Sequence, residues 1–252
     1  MGLHDPRRVR PRSWSGAPPI TTVTSPNGPR AIGVDGAPGG WVTASLRPDS
    51  DVELHFSELF SSIVASTRPG DVIVVDMPIG LPDDGHRSVD SEVRERLGPR
   101  RSTFFPTPAR SILDCQDWEH ANTHSKNTYG KGLSKQAWNL VPKIGEVDEA
   151  WTLELRRQLR EGHPETSFAE MAGGPLRSKK NTTNGRTERI GLLTTAISPS
   201  ISAVLASFPK KWLTDAIDAL AMAWTAQRVL SGAAIQLGGE LDSLNRPMEL
   251  VI

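Results

Sequence analysis

Cysteine is nearly absent: Cys115 is the only one in 252 residues. One thiol excludes a disulfide framework and any zinc or iron–sulfur site built on several thiolates. Long apolar runs are also missing. None approaches the ~18 residues that would span a bilayer, and nothing near the start reads as the apolar segment of a secretion signal. A net charge is absent too, with 29 basic against 29 acidic side chains. That balance argues against a histone-like or polybasic binder of nucleic acid, although it leaves room for a local basic groove. No internal repeat is found. What remains is enough apolar residue, 37%, for a sizeable core. The expectation is a soluble, cytoplasmic protein with no membrane partner.

The charge is unevenly spread. Residues 1–30 hold Arg7, Arg8, Arg10, Arg12 and Arg30 against Asp5 alone, among many prolines. Pro6, Pro11, Pro18 and Pro19 interrupt any amphipathic targeting helix, so this stretch reads as a disordered tail. Residues 31–252 read as a single domain. Ala31 to Asp35 is a buried strand closed by Gly36-Ala-Pro-Gly-Gly40. Gly40 to Leu46 and Asp51 to Phe56 read as two further strands, in an antiparallel meander because the connections are short. Ser57 is the candidate N-cap of a helix over residues 58–65. Asp71 to Val75 is a fully apolar strand of the kind covered on both faces.

Residues 83–147 are rich in Pro, Gly and Arg and show little period, so they read as a functional insertion after strand 4. Helical spacing predicts a helix from Asp148 to Arg160 through Trp151, Leu155 and Leu159. Gly162 to Phe168 reads as a short strand. Arg189 to Ser207 reads as helix broken near Pro199, and Leu213 to Leu230 as a strong helix. The fold class predicted is α/β, one mixed sheet covered by helices.

Three acidic elements stand out. Asp35 and Asp76 each end an apolar strand, where open α/β sheets carry their sites. Asp215 and Asp218 share a helix face at i, i+3. The bland readings are turn chemistry and helix capping. Taken together the four are hard oxygen donors without a competing His or Cys cluster, and they suit Mg²⁺ or Mn²⁺. Such a set fits a nuclease, a phosphatase or an ATPase. The insertion adds cations, among them Arg87, Arg94, Arg96, Arg100, Arg101, Arg110 and Lys143. The stretch Arg100-Arg-Ser-Thr-Phe-Phe-Pro106 joins two of them to two aromatics that can stack on bases. Gly130-Lys-Gly-Leu-Ser134 lacks the spacing of a nucleotide-binding P-loop.

These motifs resemble one family, domain-of-unknown-function family 429, described as predicted nucleases of the RNase H fold. The resemblance runs from about Ala31 to about Arg228. It rests on Gly33-Val-Asp-Gly-Ala-Pro-Gly-Gly-Trp41, Asp76-Met-Pro-Ile-Gly-Leu-Pro82, Arg87-Ser-Val-Asp90 and Arg101-Ser-Thr-Phe-Phe-Pro106. Further matches are Gly132 to Trp138, Pro142-Lys-Ile-Gly-Glu-Val-Asp148, His163-Pro-Glu165, Ser178-Lys-Lys180 and Asp215-Ala-Ile-Asp-Ala219. It implies an RNase H-like fold, a mixed five-stranded sheet with flanking helices. It also implies catalytic acids at Asp35 and Asp76, with Asp215 and Asp218 similar to the helical pair of the Holliday-junction resolvase branch. The acid that RNase H carries on its first helix has no clear match; Glu58 is a weak candidate. Glu146 and Glu165 are the possible additional acids.

The function expected is a metal-dependent nuclease, a hydrolase cutting phosphodiesters by a two-metal mechanism. Asp35, Asp76 and Asp218 are the expected metal ligands, with Asp215 in support. Arg101, Lys143, Lys180 and Arg87 are expected on the substrate. The alternative is a non-catalytic nucleic-acid or phosphate-binding module of the same fold. An actin-like ATPase needs two such domains, more than this chain can supply.

Overall fold

The computed structural model describes residues 28–47 and 52–252. The tail expected at residues 1–30 therefore falls, up to residue 27, outside the described residues. Arg30 is already tied down: its backbone N–H and guanidinium both donate to Asp71, at 2.8 and 2.6 Å.

The architecture is mixed α/β. A five-stranded sheet runs in the order β3-β2-β1-β4-β5, from β1 (Ala31–Ala37), β2 (Gly40–Leu46), β3 (Val52–Ser57), β4 (Val72–Val75) and β5 (Leu159–Glu161). The first three strands form the antiparallel meander. Both β4 against β1 and β5 against β4 are parallel. The central strands are apolar at nearly every position because both faces are covered. One face meets α5 (Pro164–Ala172), α6 (Thr183–Ala196), α7 (Ile201–Ser207) and above all α8 (Leu213–Ser231). The other meets α1 (Phe60–Ala65) and α4 (Lys135–Ala150).

Strand periodicity decides where the strand-end acids point. Alternate residues face opposite sides. Ile32 and Val34 pack toward α1 and α4, so Gly33 and Asp35 face α8. By the same count Val74 and Asp76 face α8. Gly33 lets α8 lie directly on the strand: a Cβ there would come within 2.0 Å of the Ala219 carbonyl oxygen and 2.1 Å of the Ala223 nitrogen. The helix answers with alanines, of which Ala216, Ala219, Ala221, Ala223 and Ala226 are all buried.

Several expectations need correction. The insertion over 83–147 is not irregular. It holds α2 (Ser88–Leu97), two 3₁₀ turns (Gly98–Thr103 and Arg110–Asp114), α3 (Trp118–Tyr129) and most of α4. The helix expected from Asp148 to Arg160 ends at Ala150, and Leu159 belongs to β5. The strand expected at 162–168 lies three residues earlier. Gly162 leads into α5, whose first residue Pro164 brings a fixed φ and lacks only an N–H that has no helical partner there. Ser57 does not cap α1; its hydroxyl donates to the Leu59 carbonyl, and the Glu146 carboxylate accepts the Phe60 N–H instead. A C-terminal hairpin, β6 (Gln236–Leu241) and β7 (Pro247–Val251), was not foreseen. Its Leu250 packs with Val89, Val93 and Leu97 of α2. Among the described residues no helix is long and apolar enough to cross a membrane.

Candidate active site

The loops that follow β1, β4 and β5 open onto a cleft of about 590 Å³. Its floor carries the strand-end acids. Asp35 closes on Asp76 because Val34 pairs with Val75 and the Asp76 N–H donates to the Val34 carbonyl at 3.0 Å. The first turns of α8 bring Asp215 and Asp218 to the same place. Asp35 is only 7% exposed and Asp218 only 2%.

The electrostatics follow from that burial. Loss of water raises the Asp35 carboxyl well above its ordinary range, and the neighbouring Asp76 and Asp218 raise it further. Asp76 is pushed up to about 7, first by burial, against the pull of Lys180 and with Asp218, Glu161 and Glu165 adding to the rise. Burial also raises Asp218 and Asp215. Opposing them, Lys180 donates to Asp218 Oδ2 at 3.0 Å. Its ammonium is held above its usual value, first by Asp218 and also by Asp76 and Asp35. Among the described residues no hydrogen bond reaches the Asp35 or Asp76 carboxylate.

This donor set is chemically suited to a hard cation. Buried carboxylates with so little compensation are unfavourable unless they are protonated or matched by positive charge. The set is not closed, however. Among the described residues no three His, Cys, Asp or Glu side chains are gathered tightly enough to hold a metal ion as they stand. The cation in contact with Asp218 is Lys180.

The other expected residues divide. Lys143 of α4 lies along Gly36, with its Nζ 4.3 Å from the Trp41 ring centre and donating to the Gly40 carbonyl. Burial lowers its pKa, while Glu146, Asp35 and Asp215 oppose the change. Lys143, expected on the substrate, is thus near Asp35 and Asp215 but does not line the cleft. Arg87, expected on the substrate, lines the cleft, but its guanidinium is engaged by the protein itself. It is fully buried, and its guanidinium donates to both oxygens of Glu161, at 2.8 Å each, and to Asp90 at 2.8 Å. Glu161, the last residue of β5, also accepts the Ile79 N–H at 2.7 Å. Arg87 therefore locks the turn after β4 to the end of β5.

Arg101 is exposed and does not line the cleft; its neighbour Arg100 does, 3.5 Å from Glu165. Glu165 lines the cleft, but Arg189 grips it at 2.6 Å. Glu146 is a strut that accepts from Trp41 Nε1 at 2.9 Å and from Phe60. Glu58 is exposed outside the cleft. Sequence reasoning missed Glu161 and Arg189 and gave Asp90 no role, while Arg100 was among the cations it named. The Arg87-x-x-Asp90 spacing was a usable signal for one pair. The other pairs join residues far apart in the chain.

His163 lines the cleft beside the acids. Burial, with Lys180 adding to it, drops its pKa to about 3, so it is neutral at physiological pH. Its ring meets Phe104 edge-on at 5.2 Å between centres.

Residues 33–242 match a family model described as a protein of unknown function, DUF429. No curated protein and no solved structure matches the chain. The matched stretch contains both strand-end aspartates, the pair on α8 and every residue lining the cleft, and the chain belongs to the DUF429 family.

Proposed function

We propose that the chain is a metal-dependent nuclease working on an RNase H-like scaffold. A three-stranded meander extended by two parallel strands supports the scaffold. The observation that carries the activity is the convergence of Asp35, Asp76, Asp215 and Asp218 on one cleft floor with little positive charge to match them.

Asp35, Asp76 and Asp218 are the residues to hold Mg²⁺ or Mn²⁺, with Asp215 beside them. When bound there, the ion supplies Lewis-acid stabilisation of a phosphate and a water acidic enough to ionise near neutrality. The protein's own part is electrostatic. Asp76 gives up its proton when positive charge arrives. Lys180, once released from Asp218, is a cation for a non-bridging phosphate oxygen, and Lys143 adds positive charge near Asp35 and Asp215. Arg87, Glu161 and Asp90 keep the strand ends fixed while charge on the floor changes.

The Lys180–Asp218 contact also favours a second reading, a non-catalytic nucleic-acid or phosphate-binding module in which the lysine takes the place of an ion. One experiment separates them. Labelled single-stranded, double-stranded and branched DNA and RNA are incubated with Mg²⁺ or Mn²⁺, with EDTA and Asp76→Asn protein as controls. The nuclease reading expects metal-dependent cutting that falls at least ~10²-fold in the variant, given several kcal/mol of charge stabilisation. Binding without cutting of any substrate establishes the module instead.

A further inference from the structure

The two aromatics at the cleft differ in exposure. Phe104 lines it but is only 7% exposed, packed in the core around α2 and against His163. Phe105 is 41% exposed and lines the cleft. Its backbone is held on both sides. Upstream, the Phe104 N–H donates to the Arg101 carbonyl at 3.4 Å. Downstream, Asp90 accepts the Thr107 N–H at 2.8 Å. Pro106 and Pro108 stiffen the segment between. A large aromatic left in water on an anchored, Pro-flanked turn is a platform whose position is already set.

The remaining walls suit the two ends of a nucleotide. Gln136 on the first turn of α4 and Asn181 before α6 line the same cleft. Among the described residues neither makes a side-chain hydrogen bond, so both amides keep donor and acceptor for a base edge. Exposed Lys179 and the Arg100 guanidinium supply positive charge. A volume of about 590 Å³ is that of a pocket enclosing one small ligand. On the floor Asp35 and Asp218 are buried and Asp76 and Asp215 half-buried. An unpaired nucleotide brings its phosphate to acids so placed more readily than a stacked duplex does.

We propose that the cleft takes a single unpaired nucleotide, with its base stacked on Phe105 and its phosphate toward the aspartate floor. This rests on the nuclease reading only for the direction of the phosphate.

The test is binding in EDTA, so that no cleavage intervenes. The full chain is titrated into an oligonucleotide carrying one 2-aminopurine, offered single-stranded, then as a blunt duplex, and into 2-aminopurine nucleoside monophosphate. Quenching reports stacking. The single strand should bind at least ~10-fold tighter than the duplex. Phe105→Ala should weaken it at least ~5-fold, the lower bound of one base–aromatic stack, and lose the quench. Phe105→Trp should keep both. Phe105 is exposed, and an unchanged Tm confirms that the alanine variant folds. A quenched, Phe105-dependent monophosphate identifies free nucleotides as a source; the same behaviour in the oligonucleotide alone identifies a strand. Equal binding of duplex and single strand, an alanine variant indistinguishable from the parent, or no binding by any probe overturns the proposal. Because cleavage is not scored, a chain that stacks but never cuts defeats the nuclease alone.

Discussion

Lys180 Nζ lies 3.0 Å from Asp218 Oδ2, and among the described residues this is the one ion pair made by the four floor aspartates. Lys180 is thus the one ammonium in contact with the four carboxylates, while Lys143 acts on Asp215 without touching it. Replacing Lys180 tests what the pair does. Lys180→Gln should lower the Tm of the metal-free protein at pH 8, because Asp218 is left buried without its partner. The same variant should gain more Tm than the parent on adding Mg²⁺, since the ion no longer competes with the lysine. Thermal melts with and without Mg²⁺ check both signs. A variant that melts like its parent in both conditions defeats the argument.

The acids give stability a pH dependence of unusual sign. Asp76 titrates near 7 in the folded chain, against an ordinary value of 3.8. Between those values the folded state keeps a proton that the unfolded state has lost. Stability therefore falls as pH rises through that window. Asp76→Asn removes the penalty. In metal-free buffer it should melt higher than the parent at pH 8, with the gap narrowing toward pH 5. Parallel Tm curves across that range would exclude an elevated Asp76.

Arg87 is predicted to matter for stability before activity. Arg87→Met leaves Glu161 and Asp90 buried with their positive partner gone, a loss of about 3–5 kcal/mol. Arg87→Lys should recover little, because an ammonium cannot make the two parallel bonds to Glu161. Urea unfolding of the three proteins measures both differences.

Gly33→Ala should destabilise by roughly 1–3 kcal/mol through overpacking. The clash is with the backbone of α8, which no rotamer change relieves. The urea midpoint is the readout, and a midpoint equal to the parent's would show that α8 can shift.

Much of this was legible in the chain. The apolar runs of β1 and β4 and the period of α8 mark their own positions, and the strand-end aspartates follow from them. The α4 helix was hidden although its buried Ala137, Val141, Ile144 and Val147 keep helical spacing; Pro142 lies inside that stretch and reads as a break. Strand β5 is three residues long, too short to show a period. The hairpin carries Gly238 and Gly239, both with positive φ, which read as a loop. The role of Arg87 could not be seen locally, since Glu161 lies 74 positions away. A cation on a Pro-rich segment looks solvated until the fold surrounds it.

The contact at Gly33 has a consequence for selectivity. Asp35 lies two residues along the strand from that glycine, and Asp218 is next to Ala219, whose carbonyl faces it. Strand and helix meet there backbone to backbone, so the gap between the two carboxylates is gauged by atomic radii and not by pliable side chains. A jaw of that kind cannot widen to suit its load. On the proposed metal-binding reading, that stiffness would select small cations over large ones, whatever the affinity of its oxygens.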